Sequence, residues 1–240
     1  MSTAVVVASG GMDSTVLAYD LKEQGHDVRL LSVDYGQRHS KELAYAARTG
    51  LDLNVPWVLA DLTGITKLLA GSALTSADVD VPSGHYAQES MKATVVPNRN
   101  AIMLNVAAGY AVSVGADFVA TGVHAGDHFI YPDCRPTFID ALNAMLSAAV
   151  EGFAADGFHV KAPYVTITKT DIARRGAALG VPFEFTWSCY RGGEIHCGTC
   201  GTCVERIEAL RDAGIEDPTV YLDKTTGSEL TKDSHGVHDQ

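Results

Sequence analysis

The apolar run Ala4-Val5-Val6-Val7 empties directly into Ala8-Ser9-Gly10-Gly11-Met12-Asp13-Ser14, and this junction constrains the fold more than any other stretch of the chain. Small and β-branched apolar residues without polar alternation suit a strand buried on both faces. Two glycines at its end let the backbone turn sharply, or let another group approach it closely. Asp13 and Ser14 then open a segment with Val16, Leu17 and Leu21 at helical spacing and Gly25 after its end. A strand, a glycine turn and a helix N-terminus in succession make an anion site, because free backbone N–H groups and the helix dipole converge on one point. A plain tight turn capped by Asp13 and Ser14 uses the same residues, so the junction alone leaves both readings open.

The rhythm set here continues along the chain. Residues 28–33 read as a second buried strand, 41–48 as a helix and 57–60 as a third strand, so the pattern predicts an α/β fold with an open, mostly parallel sheet and helices on both faces. Residues 71–100 break the rhythm with Gly71, Pro82, Gly84 and Pro97, which predicts a long loop of the functional kind. An Ala-rich helix at 101–114, a strand at 118–121, and helices near 136–153, 169–179 and 205–213 follow. Residues 1–186 form the expected α/β domain, and 187–226 a small C-terminal element that carries four cysteines and a helix. Residues 227–240 read as a polar tail in which His235 and His238 are expected to be solvated.

Charge narrows the function classes. The 240 residues carry a net charge of −11, which disfavours broad contact with a nucleic-acid backbone or an anionic membrane but permits a nucleotide in a local basic pocket. No stretch reaches the 18 or so apolar residues of a spanning helix. The first residues lack the basic segment and long apolar run of a secretion signal, so a cytoplasmic location is expected. In that compartment five cysteines point to metal ligation or reactive thiols rather than a disulfide framework.

Four of the five cysteines fall in the pattern Cys189-x7-Cys197-x2-Cys200-x2-Cys203, with Gly192, Gly193, Gly198 and Gly201 between them. Four thiolates complete a tetrahedral zinc shell, and such sites are closed and structural. An iron–sulfur cluster uses the same ligands, and unligated thiols are the bland alternative. Cys134 stands alone upstream.

Two further stretches gather polar side chains. The first is Lys92-Ala93-Thr94-Val95-Val96-Pro97-Asn98-Arg99-Asn100, just before an apolar helix. The second runs from Gly122 through His124 and Asp127 to Tyr131-Pro132-Asp133-Cys134-Arg135-Pro136, leaving the carboxyl end of the 118–121 strand, where open α/β sheets place ligands. An ordinary surface loop with an Asp133–Arg135 ion pair accounts for the second stretch equally well when it is taken alone.

In their order, S-G-G-M-D-S, P-N-R-N, Y-P-D-C-R-P and the four-cysteine pattern resemble the 7-cyano-7-deazaguanine synthase family of the ATP-pyrophosphatase superfamily, over roughly residues 4–225. Many members read S-G-Y-P-D-C, whereas Phe129 and Ile130 precede Tyr131 here, as in one branch of the family. The resemblance implies an adenine nucleotide α hydrolase-like fold. It also implies conversion of 7-carboxy-7-deazaguanine, ammonia and ATP to the nitrile, with a structural zinc and a homodimer. Ala8, Ser9, Gly10, Gly11, Met12, Asp13 and Ser14 become the expected ATP-binding set, with Mg²⁺ bridging the phosphates. Asp13, Ser14 and Lys169 are the expected catalytic groups, Lys169 as a second phosphate contact. The expected substrate contacts are Lys92, Arg99 and Asn100 from the first stretch, and Gly122, His124, Asp127, Tyr131, Asp133 and Arg135 from the second. Asp133 is expected to meet the guanine-like edge, and Arg99 and Arg135 to meet a carboxylate or phosphate.

A carboxylate oxygen cannot leave, so the implied chemistry adenylates it and lets ammonia displace AMP. A second ATP then activates the amide oxygen, and loss of AMP leaves the nitrile. The residues alone support only adenylation. An adenylating enzyme with another acceptor, such as a protein amine or a tRNA base to be sulfurated, shares the motifs, although the acidic charge disfavours tRNA. A non-catalytic zinc-bearing module is the remaining class, and release of pyrophosphate separates it from the enzymes.

Overall fold

Alternation along the first strand sets the layers. β1 (Thr3–Val7) sends Ala4 and Val6 to one face of the sheet and Val5 and Val7 to the other, and all four are buried. The structure is a computed structural model that describes residues 1–223. In it β2 (Asp27–Asp34), β3 (Trp57–Asp61), β4 (Phe118–Ala120) and β5 (His159–Lys161) join β1 in the order β3-β2-β1-β4-β5, every pair parallel. The end of the expected zinc element and the polar tail with His235 and His238 lie outside the described residues.

One face is covered by α1 (Met12–Glu23), α2 (Glu42–Leu53), α5 (Lys169–Ala178) and α6 (Gly201–Ala213). Val16 and Leu17 of α1, Ile172 of α5 and Leu210 of α6 close over Ala4 and Val6 there. The other face is covered by α3 (Arg99–Ser113) and α4 (Pro136–Ala149), whose Leu104, Ala108, Ile139 and Leu142 pack on Val5 and Val7. The expected open parallel sheet with helices on both faces is present.

The differences from the sequence reading have local causes. β5 was not expected, because His159-Val160-Lys161 contains one apolar residue. It is held by its register with β4 and by Asn143, which accepts from the Val160 amide at 2.7 Å and donates to its carbonyl at 3.0 Å. That side chain satisfies the free edge that a missing sixth strand would leave. α6 begins at Gly201 rather than near 205, so Cys203 lies in its first turn. The loop through residues 71–100 contains one 3₁₀ segment, Glu89–Thr94, and packs Ala73 and Val81 against Trp187 and the cysteines.

The glycine pair is explained at Gly10. Its φ is +86°, and a Cβ there would fall 2.1 Å from the Glu42 carbonyl oxygen and 2.8 Å from the Ala46 amide. The turn therefore needs a left-handed backbone and also lets α2 press against it. β1 lies between β2 and β4, so the chain leaves it in opposite directions, and the carboxyl ends of β1 and β4 open a crevice between them.

Arg206 anchors the segment after α6. It has no exposed surface, and it donates to Thr186 Oγ1, to the Phe183 carbonyl at 2.9 Å and to Asp217 Oδ1 at 3.2 Å. Tyr221 donates to the other oxygen of Asp217. Asp217→Ala would leave a buried guanidinium without a counter-charge, at a cost of about 3 kcal/mol. A thermal melt should drop by roughly 10 °C, given about 2–4 °C per kcal/mol for a chain of this size. An unchanged midpoint would show that the pair holds nothing together.

Candidate active site

The crevice between β1 and β4 is a cleft of about 1070 Å³ with its open mouth included, lined from the phosphate-type turn through α3 to the cysteine element.

The turn after β1 is tied by its own serines. Ser14 Oγ donates to the Gly11 carbonyl at 3.2 Å and accepts from the Ser9 amide at 3.2 Å, and Ser9 Oγ accepts from the Gly11 amide at 3.2 Å. Trp187 donates its amide to the Gly10 carbonyl at 2.9 Å. No side chain caps α1, whose N-terminus therefore faces the cleft with its donors available. Asp13 Oδ1 is enclosed and has no hydrogen-bond partner.

A charged cluster lies beside this turn. Lys169 Nζ sits 3.1 Å from Asp13 Oδ2 and 2.8 Å from Glu205 Oε2. It is placed there by α5, which starts with a reciprocal cap between Thr168 and Asp171. His124 lies just beneath, its Nε2 3.6–3.9 Å from Asp13, Asp127 and Glu205. Its Nδ1 accepts from the Gly126 amide, which leaves the ring proton on Nε2, aimed among these carboxylates. Asp127 accepts from the His124 amide and from the Tyr86 hydroxyl, both at 3.0 Å. Burial alone would raise the Asp13 carboxyl, but Lys169 and His124 outweigh it and hold it below the usual carboxylate range. Burial likewise disfavours the Lys169 cation, and Asp13 and Glu205 reverse that, holding its pKa far above the usual lysine value. Glu205 is raised, chiefly by burial.

Across the cleft the lining is less charged. Arg99 Nη1 donates to the Tyr35 hydroxyl at 3.4 Å, and its Nε is enclosed without a partner. Among the described residues it forms no ion pair. Tyr131 shares a 2.7 Å hydrogen bond with Thr94, and Asn100 donates to Cys134 Sγ at 3.1 Å. Burial pushes the Cys134 thiol far above its ordinary value, so it stays protonated and is a poor nucleophile.

The expected site residues divide accordingly. Ala8, Ser9, Gly11, Met12, Asp13, Ser14, Arg99, Asn100, Gly122, Asp127, Tyr131 and Lys169 all line the cleft, Gly10 shapes its turn and His124 supports it from below. Three are not brought to it. Lys92 is on the surface, paired with Glu89 at 2.6 Å, because the 3₁₀ segment turns Met91 and Thr94 inward instead. Asp133 Oδ2 accepts from the Asn100 amide at 3.0 Å, so it serves the open end of α3. Arg135 is exposed and donates to the His128 carbonyl at 2.9 Å. The sequence reading missed Tyr86, His39 and Glu42, which line the cleft from distant elements, and Glu205, which holds Lys169 from α6; none carries a motif of its own.

The four clustered cysteines bring their sulfurs within 4.8 Å of one another, all buried, with Cys197 and Cys203 Sγ atoms 3.9 Å apart. Zinc–sulfur bonds of about 2.3 Å at tetrahedral angles place sulfurs about 3.8 Å apart, so the set fits such an ion. Cys197 Sγ accepts from the amides of Thr199 and Cys200 at 3.4 and 3.2 Å, contacts that favour a thiolate. Gly198 makes this knuckle possible with φ +78°, where a Cβ would fall 1.7 Å from the Asp223 carbonyl oxygen.

The family model described as queuosine biosynthesis protein QueC matches residues 3–214. The 7-cyano-7-deazaguanine synthase of Rhizobium rhizogenes is 57% identical over 219 residues, covering 91% of this chain and 92% of that protein. The enzyme of the same name from Paracoccus denitrificans is 55% identical over 219 residues, covering 91% and 93%. A solved complex of a 4-thiouridine synthetase with RNA and bound ATP superposes with a TM-score of 0.51 at 15% identity, over 89% of this chain and 51% of that one. That last likeness is one of fold, the adenine nucleotide α hydrolase-like sheet. The chain belongs to the QueC family of queuosine biosynthesis proteins.

Proposed function

We propose that this chain is an ATP-dependent 7-cyano-7-deazaguanine synthase that joins ammonia to 7-carboxy-7-deazaguanine and dehydrates the amide in the same cleft. The observation that carries the reading is the pairing of two unlike anion sites in one cavity. One is the α1 N-terminus with Lys169, suited to phosphates. The other is Arg99, a guanidinium without a carboxylate of its own, suited to the carboxylate of a planar substrate.

In this reading the 8–14 turn holds the β- and γ-phosphates, while Arg99 aligns the substrate carboxylate with the α-phosphorus. Attack there forms the acyl adenylate and releases pyrophosphate. Ammonia then displaces AMP, and a second ATP activates the amide oxygen so that loss of AMP leaves the nitrile. The protein's share is alignment and charge neutralisation. Asp13, with its unpartnered Oδ1, is the residue suited to Mg²⁺, which when bound supplies further neutralisation of the phosphates. Cys189, Cys197, Cys200 and Cys203 would hold zinc, whose part is structural, since four thiolates leave no position open to substrate. Residues 187–226 then serve as a brace on the α/β domain of residues 1–186, a homodimer in the cytoplasm being the form that the family resemblance supports.

Mass spectrometry of a reaction with the deazaguanine acid, ATP and ammonium should show the nitrile, with AMP and pyrophosphate. Formation of an adenylate that stops at the acid or passes to another acceptor would refute the reading. Elemental analysis should return about one zinc per chain. Stoichiometric iron would overturn that assignment.

Lys169→Met should slow pyrophosphate release by roughly 100- to 1,000-fold at neutral pH, the loss expected for one preorganised electrostatic contact. The sign of its pH effect follows from Asp13. Lys169 depresses the Asp13 pKa, so removing it raises that pKa, and the carboxyl stays protonated to higher pH. The acid limb of the rate profile should move to higher pH. A profile that keeps its shape would mean that Asp13 is not required in its ionised form.

A further inference from the structure

Glu42 and His39 line the cleft, yet nothing in the phosphate or carboxylate sites employs them. Their side chains are 12% and 5% exposed. Gln37 sets their geometry: its Oε1 accepts from the Tyr35 amide at 2.9 Å, and its Nε2 donates to the Val33 carbonyl and to Glu42 Oε1, both at 3.2 Å. His39 Nε2 lies 3.5 Å from that same Oε1, and its Nδ1 is enclosed without a partner. Both contacts fall on Oε1, which leaves Oε2 to meet an incoming group.

No lysine or arginine forms an ion pair with Glu42 among the described residues. The charged groups that act on the pair from a distance are Arg99 on α3, Asp34 at the end of β2 and Arg38 in the turn before α2. Burial pushes the Glu42 carboxyl up to about 8 against the pull of Gln37 and Arg99. Burial, aided by Arg99 and Arg38, lowers His39 to about 3. The empty pair is thus uncharged at neutral pH. The close approach of Gly10 to the Glu42 backbone carbonyl sets the first turn of α2 against the turn that would hold the phosphates, and the Glu42 side chain lines the cleft from there.

We propose that Glu42, oriented by Gln37 and flanked by His39, is the catalytic residue that binds ammonium in the cleft and takes its proton. The assignment rests on the amination reading above and extends it. Ammonium has no lone pair and cannot attack an acyl carbon. As NH₄⁺ enters, the Glu42 carboxyl gives up its resting proton to water, and the carboxylate so formed accepts one proton from NH₄⁺ to give a carboxylic acid and NH₃, a neutral pair that a poorly solvated site favours over the ion pair. The nitrogen lone pair then forms the C–N bond while the C–O bond to AMP breaks. Two of the three hydrogens stay on the amide, and the third leaves with the AMP phosphate. Glu42 ends the cycle protonated, as it began, and entry of the next ammonium again sends that proton to water. The nitrile step makes the same demand, because the adenylated amide must lose its remaining N–H proton as the C–O bond to AMP breaks.

Glu42→Gln preserves size and an oxygen to accept from Gln37, but it cannot take a proton. Its kcat/KM for ammonium should fall by about 100-fold or more, while acid-dependent exchange of pyrophosphate into ATP persists within about twofold. Hydroxylamine is already a free base at neutral pH, so the variant should form the hydroxamate at nearly the parent rate. A packing defect would not be rescued in this way. Undiminished use of ammonium, or loss of both nucleophiles together, would overturn the assignment. Loss of exchange at an unchanged melting temperature would overturn it too, moving Glu42 into ATP or acid binding. If the Gln variant melts early, Glu42→Asp decides: it keeps a carboxyl and should recover part of the ammonium rate, and no recovery sinks the proposal. A parent enzyme without acid-dependent exchange would instead remove the amination reading itself, and the assignment with it.

Discussion

A single ammonium group ties this site together. Lys169 Nζ stands between Asp13 on α1 and Glu205 on α6 while its own backbone starts α5, so one cation links the three helices that pack on the same face of the sheet. Burying a lysine is costly unless anions meet it, and here they do. The same arrangement keeps Asp13 ionised at the end of β1, where a phosphate or its metal ion would be met. Fold stability and site charge therefore depend on one contact. A loss at Lys169 would leave Asp13 and Glu205 beside Asp127 without the lysine cation that now stands between them.

The cysteine element reaches the chemistry through geometry rather than ligation. Cys200 caps α6 and Cys203 lies in its first turn, so whatever holds the four sulfurs also holds Glu205 on that helix. Trp187 and Tyr190 flank Cys189 and line the cleft, and the Trp187 amide binds the Gly10 carbonyl. The loop after β3 is pinned in turn, with the Gly84 amide on the Thr199 carbonyl and Ser83 bridged to Cys200. A metal in this position would order three walls of the cleft while touching none of the substrate.

Much of this was legible where one residue type admits one physical use. A buried run ending in two glycines predicted β1, its turn and α1, and Gly10 shows why a side chain fails there. Cysteine spacing predicted the cluster. Long-range placement was not legible: Glu205 meets Lys169 across 36 positions, and β5 exists because Asn143 and β4 satisfy it, not because H-V-K is a strong strand. The polar stretches misled in a specific way. Lys92, Asp133 and Arg135 read as ligands because they are charged and close to a proline turn, but the backbone around them has its own unsatisfied donors and acceptors. Asp133 and Arg135 answer those first.

The division of charge across the cleft explains why one cavity can serve two unlike reactions. Around the turn after β1 every polar group is ionised or strongly dipolar, as phosphate transfer requires. Around Arg99 the neighbours are tyrosines, a neutral imidazole, a protonated thiol and a carboxyl raised to about 8. An activated acyl group is open to water as well as to ammonia, and water is far more abundant. In the proposed reaction a wall that carries one guanidinium and otherwise neutral groups would hold the carboxylate yet offer few charges to retain water, which would tilt the competition toward amination. In the proposed reaction the neutrality that burial imposes on Glu42 and His39 would protect the intermediate, while the ionisation that burial fails to suppress at Asp13 and Lys169 would help to form it.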